Sequence, residues 1–297
     1  MLFVHNFVSS KEIIQFYLEM FEGRKLVIAT KHEKEKVISP IIEKELGVQC
    51  FVATNIDTDQ LGTFSGEIER KGDPISTARK KCELAMEANN CDLAIASEGS
   101  FGPHPTMYFI TADEEFLLFV DKKNNLEIIV REISDETNFN GAEIKTKSEL
   151  DTFLQSVNFP SHGVILKDAK SDFSDLVKGI DSYELLLNKF TEFMSKYGKV
   201  YIETDMRALF NPTRMKVIEE ATIKLAKKIN SICPKCATPG FGITEVKKGL
   251  RCELCHAPTE STLSFIYSCE KCDFTAEEKF PQGKELEDPM YCNFCNP

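Results

Sequence analysis

The chain lacks tryptophan altogether, and it lacks any apolar run of about 18 residues, so no membrane-spanning helix is expected. Its N-terminus, MLFVHNFVSS, has no basic leader and only a short apolar stretch, which argues against a cleaved signal peptide. Ser9 followed by Glu12 reads instead as a capping box opening a helix over KEIIQFYLEM. No G-x-S-x-G, Walker A or H-E-x-x-H motif occurs, which removes several hydrolase classes. Acidic residues outnumber basic ones, 47 to 36. A net charge of −11 repels phosphate backbones on average and disfavours broad nucleic-acid binding, while leaving room for a local basic site.

What is present suits a folded, two-domain protein: 297 residues, 42% hydrophobic and 28% charged, with 22 phenylalanines to fill a core. The 11 cysteines are unevenly placed. Cys50, Cys82 and Cys91 are scattered, and the other eight form C-x-x-C pairs near the C-terminus. With no secretory signal, metal binding outweighs disulfides, and the cytoplasm is the expected compartment.

Periodicity and turn residues predict strands over 25–30, 48–54 and 91–97, with helices over 32–47 and 75–90 between them. Pro40 is expected to kink or break the first of these helices. Extended runs MYFIT, EFLLFVD and LEIIVREI (107–111, 115–121, 126–133) predict an antiparallel meander. Helices over 148–157, 182–197 and 213–230 alternate with strands over 162–167 and 199–204. The expected fold is α/β: a mixed sheet with parallel strand–helix units and an antiparallel extension, followed by a small zinc-ribbon domain. We expect an N-terminal helical segment over 1–23, an α/β nucleotide-binding or catalytic domain over 24–230, and a double zinc ribbon over 231–297.

In that tail, Cys233 and Cys236 are followed after 15 residues by Cys252 and Cys255, and Cys269 and Cys272 after 19 by Cys292 and Cys295. Both gaps fit the C-x₂-C-x₁₅₋₂₀-C-x₂-C zinc pattern. Four thiolates close a tetrahedral shell, so two structural Zn²⁺ ions are expected. Sequential pairing gives two ribbons and interleaved pairing gives a cross-braced module. The turn chemistry of each half, PGFG and PQG, favours sequential pairing. His256 reads as a turn residue. The tail carries seven basic against ten acidic residues, so a lid role or docking to protein, through a homodimer or another partner, suits it better than gripping nucleic acid.

In an open α/β sheet, ligands bind beyond the carboxyl ends of the strands. There the sequence offers Glu98, a candidate Mg²⁺ carboxylate, with Gly99 allowing close backbone approach. Thr30 is a candidate helix cap, and Lys34 on the first turn a candidate phosphate lysine. Asp73 precedes the next helix, whose exposed face offers Lys81, and ETDMRALFNPTRM supplies Asp205, Arg207, Asn211 and Arg214 around a late helix start. His104 and His162 read by default as loop histidines.

The order of IATKHEK (28–34), DPISTARKKCELA (73–85) and DLAIASEGSFG (92–102) resembles the inosine/xanthosine triphosphatase superfamily. That resemblance implies Lys34 as the phosphate lysine, Asp73 as the helix-start acid, Lys81 as the helix basic residue and Glu98 as the metal carboxylate. Arg207 and Arg214 resemble the late basic residues of that family's pocket. Lys31 stands where the family usually has asparagine, and Asp73 where it usually has glutamate. A closer resemblance, carried by SEGSFGPHP, DTDQLGTFSGEI, ETDMRALFNPTRM and DPMYCNFCNP, is to an uncharacterised bacterial family known only as a domain of unknown function. The expected function is a Mg²⁺-dependent pyrophosphohydrolase of aberrant purine nucleoside triphosphates, with Glu98, Asp73 and Lys34 catalytic and Thr30, Lys81, Gly99, Arg207, Asn211 and Arg214 binding the substrate. The alternative is a non-catalytic module that binds nucleotide or RNA, or docks protein, through its zinc tail.

Overall fold

The computed structural model describes residues 20–54, 72–171 and 174–297. The expected N-terminal helix and the DTDQLGTFSGEI motif fall on 1–19 and 55–71, outside the described residues. The chain divides into two compact units, Phe21–Ala226 and one built on Lys227–Pro297. The division falls inside the last long helix. No helix among the described residues is long and apolar enough to cross a membrane.

The larger unit opens with β1 (Lys25–Ala29), α1 (Glu35–Leu46), β2 (Gln49–Val52), α2 (Pro74–Asn89), β3 (Leu93–Pro103), β4 (Thr111–Asp121) and β5 (Leu126–Ser134). These strands form one sheet in the order β2-β1-β3-β4-β5. β2, β1 and β3 are parallel, whereas β3, β4 and β5 form an antiparallel meander. The mixed α/β sheet expected from the sequence is therefore present. Alternation along its strands sends Val27, Ala29, Ala94, Ala96 and Leu118 to one face, against Ala78, Cys82, Ala85 and Met86 of α2. The small side chains on both sides allow close approach of helix and sheet.

Three local expectations change. α1 runs unbroken through Pro40, its sixth residue, although the proline has no N–H to donate to the Lys36 carbonyl. The MYFIT stretch is mostly the turn between β3 and β4: His104 N–H and Ile110 C=O close it at 2.8 Å, and β4 begins at Thr111. Most consequential, β3 does not stop before Glu98. Its parallel partner β1 pairs only as far as Ala96, but β4 pairs with β3 from Leu93 to Pro103. Antiparallel hydrogen bonding carries the strand through Glu98, Gly99 and Gly102.

The rest of the unit comprises β6 (Gly141–Ile144), α3 (Lys147–Ser156), β7 (Val164–Lys167), β8 (Leu176–Ile180), α4 (Tyr183–Tyr197), β9 (Val200–Thr204) and α5 (Pro212–Asn230). The strands form a second, wholly antiparallel sheet, β6-β9-β7-β8, rather than a parallel continuation of the first. β7 lies between β8 and β9, so the β8–α4–β9 unit is split. A Thr146–Glu149 capping box starts α3 and Ser182 caps α4. Leu150, Phe153, Leu186, Phe190 and Phe193 then cover the sheet.

The smaller unit contains β10 (Gly242–Lys248), β11 (Arg251–Cys252), β12 (Thr262–Ser268), β13 (Thr275–Lys279) and β14 (Leu286–Glu287). β10-β12-β13 form an antiparallel sheet, and β11 pairs in parallel with β14.

Candidate functional site

The first charged cluster forms where β1 runs out. The chain leaves β1 through Thr30, whose hydroxyl donates to the Lys31 carbonyl at 2.9 Å and does not cap α1. His32 and Glu33 both adopt left-handed backbone, with φ of 68° and 63°. Two successive non-glycine residues in that region are costly and mark a tightly specified loop. The turn brings Lys34 to the N-cap position, where its carbonyl accepts from Val37 and Ile38. Its side chain points inward, is 4% exposed, and donates from Nζ to Ser97 Oγ at 2.7 Å. Burial pulls the Lys34 pKa down to about 8, and the charge of Arg214 pushes the same way against Glu115 and Glu98.

Beyond Ala96 strand alternation separates two sets of groups. Glu98, almost fully buried, forms an ion pair with Lys81 of α2. Ser97 and Gly99 point to the opposite face, where Gly99 lies across from Glu115 of β4. Glu115 Oε1 accepts from Arg214 Nε at 2.6 Å, with both side chains fully buried. Gly99 is required there: an added Cβ would overlap the Glu115 carboxylate and lie 2.7 Å from the Arg214 guanidinium. Two residues along the same strand face, Asp113 is 1% exposed. Among the described residues neither of its oxygens, nor Glu115 Oε2, has a hydrogen-bond partner. Burial, reinforced by the Glu115 charge, raises the Asp113 pKa to about 8, although Arg214 and Lys34 oppose it.

The fold thus places Lys81 and Glu98 on one face of β3, and Gly99, Arg214 and, through its bond to Ser97, Lys34 on the other. The remaining residues singled out in the sequence take other places. Asp73 is exposed and N-caps α2, accepting from Ile75 and Ser76. It lies eight residues, about 12 Å of helix rise, from Lys81. The N-cap bonds hold its pKa below the usual carboxylate range. Arg207 pairs with the buried Asp205 at 2.5 Å and lies over the Phe210 ring. Asn211 accepts from the Arg214 N–H at 3.0 Å and donates to Asn138 at 2.8 Å, organising the start of α5. His162 contacts the Thr213 hydroxyl at 2.9 Å, and His104 Nδ1 accepts two backbone N–H groups of its own turn.

Sequence reasoning passed over Asp113, Glu115 and Ser97. In TADEEFLLFVD, Asp113 and Glu115 share the alternation of Leu117 and Phe119, which are buried. Acids in phase with the apolar face of a strand are the signal that would have found them.

The second site is the cysteine module, and here the favoured pairing is corrected. The sulfurs group as Cys233, Cys236, Cys269, Cys272 and as Cys252, Cys255, Cys292, Cys295, so the pairs interleave. The reason lies in the strands: β10 and β12 run antiparallel and bring the first and third pairs to one end of the sheet, near Gly242 and Ser268. The second pair lies in the connection between β10 and β12, and the fourth follows β14, which pairs with β11 beside Cys252. Tetrahedral zinc with Zn–S of about 2.3 Å requires sulfurs roughly 3.8 Å apart. All four sulfurs of each group lie within 4.8 Å of one another, with Sγ–Sγ distances of 3.7 and 3.6 Å between loops of one group and 3.8 and 3.6 Å in the other. Both four-cysteine groups therefore fit a zinc ion.

Three of the four loops share one turn. The residue after the second cysteine, Ala237, His256 or Asp273, has φ between 53° and 61° and donates its N–H to the first cysteine's carbonyl. His256 is thus a turn residue and does not join either sulfur cluster.

No curated protein matches the chain. A solved structure, protein VC0702 from Vibrio cholerae, is 9% identical and covers 69% of this chain and 93% of its own. With a TM-score of 0.32, that likeness carries no argument about fold or chemistry. A family model for a domain of unknown function, DUF6671, matches residues 81–297, from Lys81 through the last cysteine pair, and the chain belongs to that family.

Proposed function

We propose that the larger unit is a Mg²⁺-dependent nucleoside triphosphate pyrophosphohydrolase acting on aberrant purine nucleotides, and that the zinc module is a structural appendage. The observation that carries this reading is the buried charged cluster around the middle of β3, beyond the carboxyl end of β1. There Lys34, on a strained turn, lies within the electrostatic reach of Arg214, Lys81, Glu98 and Glu115. Cations and carboxylates concentrated beyond the end of β1, where its parallel pairing with β3 stops at Ala96, are what a phosphate-and-metal ligand requires.

The donor set fits Mg²⁺ only together with substrate phosphates. Outside the cysteines, no group of three metal-capable side chains gathers among the described residues. Glu98 would supply a carboxylate, its Lys81 contact giving way, and the phosphates would supply the other oxygens. Bound there, the ion would polarise the anhydride and acidify a water. Lys34 would hold the phosphates as a point charge, and its lowered pKa leaves it mostly charged at neutral pH. Arg214 would be held in place by its pairing with Glu115, which balances its charge.

The test is release of pyrophosphate and phosphate from a panel of nucleoside triphosphates with Mg²⁺, comparing wild type with Glu98→Gln. We expect turnover on at least one non-standard purine nucleotide and a loss of about 100-fold or more in the variant, with fold and zinc content retained. Absence of turnover by wild type on every nucleotide would overturn the reading in favour of a binding module.

A further inference from the structure

The two zinc sites of the smaller unit are alike in ligands and unlike in surface. The third position of each C-x-x-C loop projects from the knuckle. At the first site it holds Lys235 and Lys271; at the second it holds Leu254 and Phe294. The knuckle itself therefore does not demand an apolar residue there. Leu254 is 70% exposed and Phe294 74%. Cys255 and Cys292 hold their two loops together, with sulfurs 3.6 Å apart. Met290 and Tyr291, on the turn leading into Cys292, are exposed at 60% and 58%, and Leu286 of β14 is also exposed.

Single exposed apolar residues are ordinary, but of the seven large apolar side chains exposed in this unit, five fall on the loops and short strand of the second zinc site and only Ile243 and Val246 on β10. The surroundings are acidic. Glu253, Glu285 and Asp288 are exposed around the apolar residues, and the zinc tetrathiolate adds a charge of about −2. Of the basic residues nearby, Lys284 is engaged by Glu287 at 3.3 Å, and Arg251, across from Leu286 in the β11–β14 pairing, donates to the His256 carbonyl at 2.9 Å.

We propose that the face built from Leu254, Phe294, Met290, Tyr291 and Leu286 is a docking surface for a basic, apolar segment of a partner protein. The apolar side chains supply the buried contact. The acidic rim selects lysine- or arginine-bearing partners and repels nucleic acid and anionic lipid. A zinc ion shared by both loops fixes them, so the surface is presented without a folding cost at binding. This inference is independent of the catalytic proposal and needs no turnover for its test.

The experiment uses the full, zinc-loaded chain and fluorescence anisotropy with a short labelled leucine–lysine amphipathic peptide. Two comparison peptides carry glutamate in place of lysine or serine in place of leucine. We expect the leucine–lysine peptide to bind at least about tenfold more tightly than either, because both apolar burial and charge are needed. Leu254→Ser with Phe294→Ser should weaken it by about tenfold or more while two zinc ions are retained. Lys235→Ser with Lys271→Ser should leave it unchanged. If the first pair of substitutions costs zinc, Met290→Ser with Tyr291→Ser, outside the ligand loops, makes the same test. Equal binding by the zinc-retaining variants would overturn the proposal, as would equal binding of the glutamate peptide. Sedimentation that shows wild-type dimers and variant monomers would assign the face to a second copy of the chain and overturn it equally.

Discussion

Asp113 and Glu115 lie two residues apart on β4, so both side chains leave the same face of the strand. An ionised carboxylate in a nearly fully buried position, with no donor to either oxygen among the described residues, is far less stable than the neutral acid. Burial first, and the charge of Glu115 second, raise the Asp113 pKa to about 8. The sign for stability follows. Between the unfolded value near 3.8 and about 8 the folded state binds more protons than the unfolded one. The contribution of Asp113 is therefore full below pH 4 and is lost as pH rises toward 8. Asp113→Asn, a neutral isostere, should be more stable than wild type at pH 7. One pKa unit is worth about 1.4 kcal/mol, so even half the shift gives roughly 3 kcal/mol. For a unit of this size that corresponds to roughly 6–12 °C in Tm. Thermal melts of both proteins between pH 5 and 8 should show the gap widening with pH. A gap that is constant or of opposite sign would mean that Asp113 is ionised and partnered.

At the scale of elements, the parallel strands, their helices and the cysteine spacing were all legible, because each rests on local signals. The apolar run of β3 follows Asn90, and Asp73-Pro74 opens α2. What local signals missed was set by partners distant in sequence. Nothing between Ser97 and Pro103 announces that β4 will extend β3, and β6 and β8, which the sequence reading passed over, are short strands completed by β9 and β7. Lys34 and Arg214 were legible as basic residues at helix starts, and Lys81 and Glu98 as a helix-face lysine and an acid after an apolar run, but the buried partners Ser97 and Glu115 were not. Zinc pairing failed for the same reason: spacing allows both arrangements, and only the β10–β12 register selects one. The interleaved arrangement has a direct test in zinc content. Cys236→Ser with Cys272→Ser damages one site, and the protein should retain one tightly held zinc. Cys236→Ser with Cys255→Ser damages both and should retain neither. Sequential pairing predicts the reverse, with the first variant losing both ions and the second keeping one, so metal analysis of the two variants separates the arrangements.

At the scale of the whole molecule, the two units are stabilised by different means. The larger unit has two continuous apolar cores, one under α2 and one under α3 and α4. The smaller has almost none. Its buried apolar residues, among those described, are Ile229, Leu250 and four cysteines, all four of them metal ligands. β10 and β13 are exposed along nearly their whole length. So small an apolar interior cannot offset the ordering entropy of its chain, and zinc must supply the difference. Structural tetrathiolate sites contribute about 10 kcal/mol or more of apparent free energy, most of which becomes folding free energy in such a module. Chelation at neutral pH should therefore unfold Lys227–Pro297 selectively. Hydrogen exchange by mass spectrometry should show β10, β12 and β13 amides exchanging at unfolded rates after chelation, while β3 and β4 keep their protection. Retained protection in β12, the central strand of its sheet, would mean that the module holds without metal and that its cysteines serve another purpose. Loss of protection in β3 and β4 as well would mean that the two units fold as one cooperative system.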